Sequence, residues 1–144
     1  MSFEDVFLNF NFETILQLLL AIGLGMLIGF ERELKRRPAG LRTHMLVSLG
    51  ATIFTITSLS FDVEPSRIAA GIVTGIGFLG AGNIIAHKGH ISGITSAATL
   101  WVVAGIGLSI GVGQYLMAII SALLVFAILQ LGRIEKRLDA EKNE

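Results

Sequence analysis

A small set of polar side chains interrupts long apolar runs, and their types limit the chemistry available. Glu31 and Arg32 close one uncharged run, Arg42 and Thr43 open the next, and Arg67, Asn83, Thr95 and Thr99 stand at the edges of later runs. Ionisable groups beside hydrocarbon are costly unless they find partners, so a carboxylate and guanidinium groups at such edges read as a paired polar cluster. Glu31, Arg32, Arg42 and Thr43, gathered against a glycine-rich helix, form the expected functional site. Asn83 carries an amide that must bond to a neighbouring helix or to a ligand once it leaves water. Thr95, Ser96 and Thr99 open an apolar segment beside Trp101, and their hydroxyls either bond within their own helix or face the glycine helix.

Other chemistries fit less well. No nucleophile stands beside a plausible base, so no catalytic set emerges and no enzymatic activity is expected. Arg67 follows Asp62 and Glu64, for which a local salt bridge is the plain reading. Two carboxylates alone make a poor magnesium site, because that ion keeps several of its waters. His87 and His90 flank Lys88, and a His-x-x-His pair can ligate zinc on a helix, but zinc needs further ligands and Gly89 marks a turn. His44 stands alone and reads as interfacial. No metal and no cofactor is therefore expected. Gly75-Ile-Gly77-Phe-Leu-Gly80 has the spacing of a dinucleotide fingerprint. That motif needs a preceding strand and an accessible turn, whereas here it lies inside an apolar helix. Neither a nucleotide nor nucleic acid is an expected partner.

These residues must be positioned by helices in lipid. Of 144 residues, 53% are hydrophobic and 15% charged, against about 25% charged in a usual soluble domain. Thr14 to Phe30, Thr43 to Phe61, Ile68 to His87 and Gly89 to Gly132 contain no Asp, Glu, Lys or Arg. A span needs roughly 20 apolar residues, so the last run must hold two helices, divided at Gly111 to Gln114. The expected architecture is an all-α polytopic bundle of five transmembrane helices, at about 14–31, 43–61, 67–87, 93–111 and 114–132, followed by a short charged tail over 133–144. With five spans, ten of the eleven Lys and Arg residues fall on one face, which puts the N-terminus outside and the C-terminus in the cytoplasm. The N-terminus lacks the basic region of a cleaved signal peptide, so the first run reads as a retained helix. Cysteine is absent, which excludes disulfides and thiolate metal sites.

Small residues let backbones approach where lipid gives no hydrophobic drive for association. Ala21, Gly25 and Gly29 stripe the first helix, and Gly107 and Gly111 the fourth. Gly71, Gly75 and Gly82 stripe the third, beside a second row of Ala70, Thr74, Gly77 and Ala81, which reads as a central helix packed on two sides. Gly77, Gly80 and Gly82 each lower helix propensity by about 1 kcal/mol relative to alanine. They fit either close packing or a helix break whose freed carbonyls line a polar cavity.

Four blocks, Gly25–Glu33, Ala39–Val47, Pro65–Ala70 running into Gly75–Gly82, and Gly93–Trp101, resemble the MgtC/SapB family of bacterial membrane proteins, in the family's order and spacing. The resemblance maps the family's motif positions onto Glu31, Arg32, Arg42, Thr43, Arg67, Gly77, Gly80, Gly82, Thr95 and Thr99. It implies a non-enzymatic protein of the bacterial inner membrane that regulates other membrane proteins during adaptation to scarce magnesium or growth inside host cells. It implies a membrane-protein partner, while the apolar runs make lipid a partner and the small-residue stripes also fit contacts with a second copy of the chain. The alternative is a small oligomeric ion transporter or channel using the third helix. Asn83 replaces an apolar residue common in the family and Ser96 a threonine. The family's best-known members carry a soluble domain after the last helix, and this sequence is expected to be the membrane part alone.

Overall fold

The computed structural model describes residues 12–59, 64–87 and 90–141, with backbone alone at 65, 85–87, 90 and 133–141. Helix α1 spans Phe12–Leu34, α2 Leu41–Leu59, α3 Pro65–Asn83, α4 Ile94–Gly111 and α5 Tyr115–Glu141. Between α3 and α4, strands β1 (Ile85–His87) and β2 (His90–Ser92) pair antiparallel, with Ile85 opposite Ser92 and His87 opposite His90. All five expected helices are present. The third ends at Asn83 rather than running on to His87, because the chain turns extended at Ile84 and enters the hairpin. Gly89, in a short break between Ile84-Ile85 and Ile91, is the sequence signal for a turn there. Gly93 closes it at φ +91°, and a side chain there would strike the Asn83 carbonyl.

The termini follow local rules. Pro65 occupies the first turn of α3, where its missing N–H is not needed. Gly113, at φ +82°, makes the reversal between α4 and α5. The Glu33 carboxylate accepts the Leu41 amide at 3.0 Å and so satisfies a free donor at the start of α2. A Cβ at Gly40 would land on that carboxylate, so a side chain there would push Glu33 aside and cost this bond.

Glycine sets the tightest contacts. A Cβ at Gly25 would lie 2.8 Å from the His44 carbonyl oxygen, and one at Gly29 would lie 2.9 Å from Leu41 Cα. This brings α1 and α2 into backbone contact. Gly107 meets the Ser48 carbonyl in the same way, and a Cβ at Gly111 would lie 2.5 Å from Thr55 Cβ, which locks α4 onto α2. Bulky side chains then fill the remaining space: Ile28, Val103, Ile106 and Ile110 are buried against Ala21, Ala118 and Ala122, and Leu100 packs in a second cluster with Ala39, Ala51, Ile76 and Ala104.

The fourth helix, rather than the third, is central. It touches α1, α2, α3 and α5, whereas α3 packs on α4 and, less extensively, α2. Gly71, Gly75, Gly77 and Gly82 on α3 face open space, and Gly80 makes only ordinary contact, 3.5 Å from Ala97 Cβ. The helix runs unbroken through all five glycines. Small residues permit burial but add little area to drive it, while the Leu, Val and Ile of α4 do drive it.

Among the described residues, three helices are long and apolar enough to cross a membrane: Phe12–Leu34, Ile94–Gly111 and Tyr115–Gly132. The sequence reading expected five such spans. α2 and α3, of 19 residues each, fall short of that measure. The reason is composition. α2 carries His44, Ser48, Thr52, Thr55 and Ser58, all buried inside the bundle, and α3 is diluted by glycine. On α5, Leu116, Met117, Ile120, Leu123, Leu124 and Ile128 stay exposed.

Candidate functional site

The C-terminal turn of α1, the first turns of α2 and the first turns of α4 meet at one end of the bundle and bury a polar cluster there. Glu31 and Arg32 are each only 4% exposed. Lys35, one turn on, forms an ion pair with Glu31, and Arg32 Nη1 lies 3.7 Å from the same carboxylate. Arg32 Nη2 donates to Ser96 Oγ at 3.1 Å, across to α4. Lys35 Nζ also donates to the Leu129 carbonyl at 2.9 Å, which ties in α5. His44 is wholly buried; its Nδ1 lies 2.8 Å from the Gly40 carbonyl and its Nε2 3.1 Å from Thr99 Oγ1. Thr99 Oγ1 in turn lies 2.8 Å from the Ser96 carbonyl. Among the described residues, Arg32 Nε, Ser48 Oγ and Gln130 Oε1 are buried without a hydrogen-bond partner, and the two Glu31 carboxylate oxygens are met by the ion pairs alone.

The expected site residues divide between two places. Glu31, Arg32 and Thr99 enter this cluster. Thr43 and Arg67 line an apolar groove of about 670 Å³ between α2 and α3, together with Phe54, Gly71, Gly75 and Leu79. Arg42 and Thr95 are exposed and join neither in any hydrogen bond or ion pair among the described residues. Asn83, half-buried, ends α3 under Gly93. Asp62 and Lys88, and the side chains of His87, His90 and the tail beyond Gly132, lie outside the described residues.

His44 and Ser96 are the members that the sequence reading missed, and His44 is a core residue rather than an interfacial one. The signal was periodicity. His44, Ser48 and Thr52 recur every four residues and so share one face of α2, a face too polar to meet hydrocarbon. Thr52 shows how that face is satisfied, donating toward the Ser48 and Gly107 carbonyls at 2.9 and 2.8 Å.

At the opposite end a second pocket of about 350 Å³ is lined by Glu13, Thr14, Gln17 and the turn from Gly111 to Gly113. Gln17 Nε2 donates to the Ile110 carbonyl at 3.0 Å, and the Tyr115 hydroxyl donates to Glu13 at 2.8 Å.

The model of the MgtC family matches residues 18–137, a stretch that contains the whole buried cluster. The chain belongs to the MgtC family. It is 43% identical over 128 residues to YhiD of Escherichia coli (strain K12), named as a candidate magnesium transporter, covering 82% of this chain and 60% of that protein. It is 48% identical over 115 residues to Protein MgtC of Salmonella typhimurium (strain LT2), covering 79% of this chain and 50% of that protein. An uncharacterized protein of Haemophilus influenzae is 37% identical over 141 residues, covering 89% of this chain and 59% of the relative. The chain thus spans between half and three fifths of the length of these relatives. No solved structure matches it. Family membership and the apolar helices together make this a membrane protein.

Proposed function

We propose that this MgtC-family chain is a non-enzymatic, five-span protein of the bacterial inner membrane that acts by binding another membrane protein through α3. It serves adaptation to low magnesium or growth within host cells. The observation that carries this reading is the open glycine face of α3. A Cβ at Gly71, Gly75 or Gly82 on one stripe, or at Gly77 on the stripe beside it, would meet nothing within 4 Å among the described residues, and a glycine-lined helix face in lipid is the surface on which another helix packs closely. The same face would serve a second copy of the chain. Two further features agree. The buried charges are spent on one another at one end, and an apolar groove runs beside α3.

The five-span topology is supported by the buried polar face of α2. A helix whose hydroxyls are satisfied inside the bundle can cross lipid although its mean composition is too polar for a solitary span. The orientation, N-terminus outside and C-terminus cytoplasmic, is supported by the basic loop from Arg32 to Arg42 and the basic tail.

The alternative is a small ion transporter. The name given to the Escherichia coli relative favours it, as does the polar pocket at Glu13 and Gln17. Two measurements on the purified full chain separate the readings. Magnesium, potassium and phosphate flux in liposomes is expected to equal that of protein-free vesicles, and affinity purification is expected to retain a membrane complex that Gly75→Leu releases. Flux that depends on Asn83 and Arg42, with no retained complex, would replace the regulator by the transporter.

A further inference from the structure

The hydrogen-bond arrangement around His44 contains more acceptors than a neutral ring can serve. The Gly40 carbonyl only accepts, so Nδ1 at 2.8 Å must carry a hydrogen. Thr99 has one hydroxyl hydrogen and two acceptors for it, the Ser96 carbonyl at 2.8 Å and His44 Nε2 at 3.1 Å. With a neutral imidazole, Nε2 is a bare lone pair. The Thr99 hydrogen then goes either across to α2 or back to its own helix, and one contact is left without a proton. With an imidazolium, Nε2–H donates to Thr99 Oγ1 and Thr99 donates to the Ser96 carbonyl. Every contact then holds one hydrogen, and the bond to Thr99 becomes charge-assisted.

We propose that His44 is a proton-binding site whose charge state sets how tightly α2 is tied to α4 at this end of the bundle. Uptake forms one N–H bond with a proton from bulk water, and release returns it there. The groups facing the ring can be named for each element packed on it. α1 brings Glu31 and Arg32, of opposite sign, with Lys35 paired to Glu31. α4 brings the hydroxyls of Ser96 and Thr99. Of α3, Arg67 is the charged described side chain, and it lies in the first turn of that helix. α5 contributes the Leu129 carbonyl to Lys35. Because Arg32 holds Ser96 Oγ, a change at His44 reaches α1 through the residue that Thr99 also addresses. The proposal rests on the cluster alone and is independent of whether α3 binds a partner.

The test uses the full chain in lipid nanodiscs with ¹⁵N-labelled histidine, titrated over about pH 5 to 8, the range in which imidazole changes charge. The His44 signals are those that disappear in His44→Gln. The expected result is reversible gain of a second ring N–H at His44 within that range. In Thr99→Val the midpoint moves by about one pH unit, the order of shift that loss of one good partner produces, and in Thr99→Ser it returns. A His44 ring that keeps one protonation state throughout overturns the proposal. So does a midpoint identical in wild type and a folded Thr99→Val.

Discussion

Arg32 is the side chain on which the buried cluster depends. Among the described residues it has one charge partner, Glu31, and one hydroxyl acceptor, Ser96. Arg32→Met leaves Glu31 buried with Lys35 as its remaining cation, and removing one member of a buried pair typically costs about 3–5 kcal/mol. A clear fall in Tm of the detergent-solubilised chain is expected, partly reversed when Glu31→Gln is added, since the two sites share one interaction. An unchanged Tm in Arg32→Met would show that the pair is not buried as described. Glu31, Arg32 and Thr99 were legible from their placement at the edges of apolar runs. His44 is legible only through its four-residue spacing with Ser48 and Thr52, and Ser96 only as one of three hydroxyls opening α4; neither pattern names the partner, which lies 55 or 64 residues away.

The glycines of the helices divide into two kinds that composition does not distinguish. Gly107 faces the Ser48 carbonyl, a backbone atom that moves only if α2 moves. Gly107→Ala should therefore destabilise the chain by about 1–3 kcal/mol, the usual range for overpacking. Gly77 faces open space, so Gly77→Ala should leave the isolated chain as stable or more so, by up to about 1 kcal/mol of helix propensity. Thermal melts of the two variants in the same detergent check the contrast, and equal losses would place α3 in the core after all. Gly77→Leu is expected to leave the melt intact while reducing retention of a membrane partner. The stripe on α1 was read correctly as a packing face. The double stripe on α3 misled because a smooth helix surface is equally suited to the core and to a partner from outside.

The topology of the whole chain can be mapped without background, because it contains no cysteine. With the N-terminus outside, Gln114→Cys is expected to react with a membrane-impermeant maleimide in intact cells. Asn143→Cys should react only after the inner membrane is opened. Labelling of Asn143→Cys in intact cells would reverse the orientation or remove a span. Sequence by itself determined that this is a membrane protein of five helices, because uncharged runs of that length leave the backbone no other way to satisfy its hydrogen bonds in lipid. Tertiary structure decided which helix is central, that α2 hides its polar face, and that Thr43 and Arg67 belong to a groove apart from Glu31 and Arg32. Those outcomes turn on the rotation of each helix about its own axis. That rotation is fixed by where a neighbour's backbone comes close enough to exclude a Cβ, a contact between residues far apart in the chain.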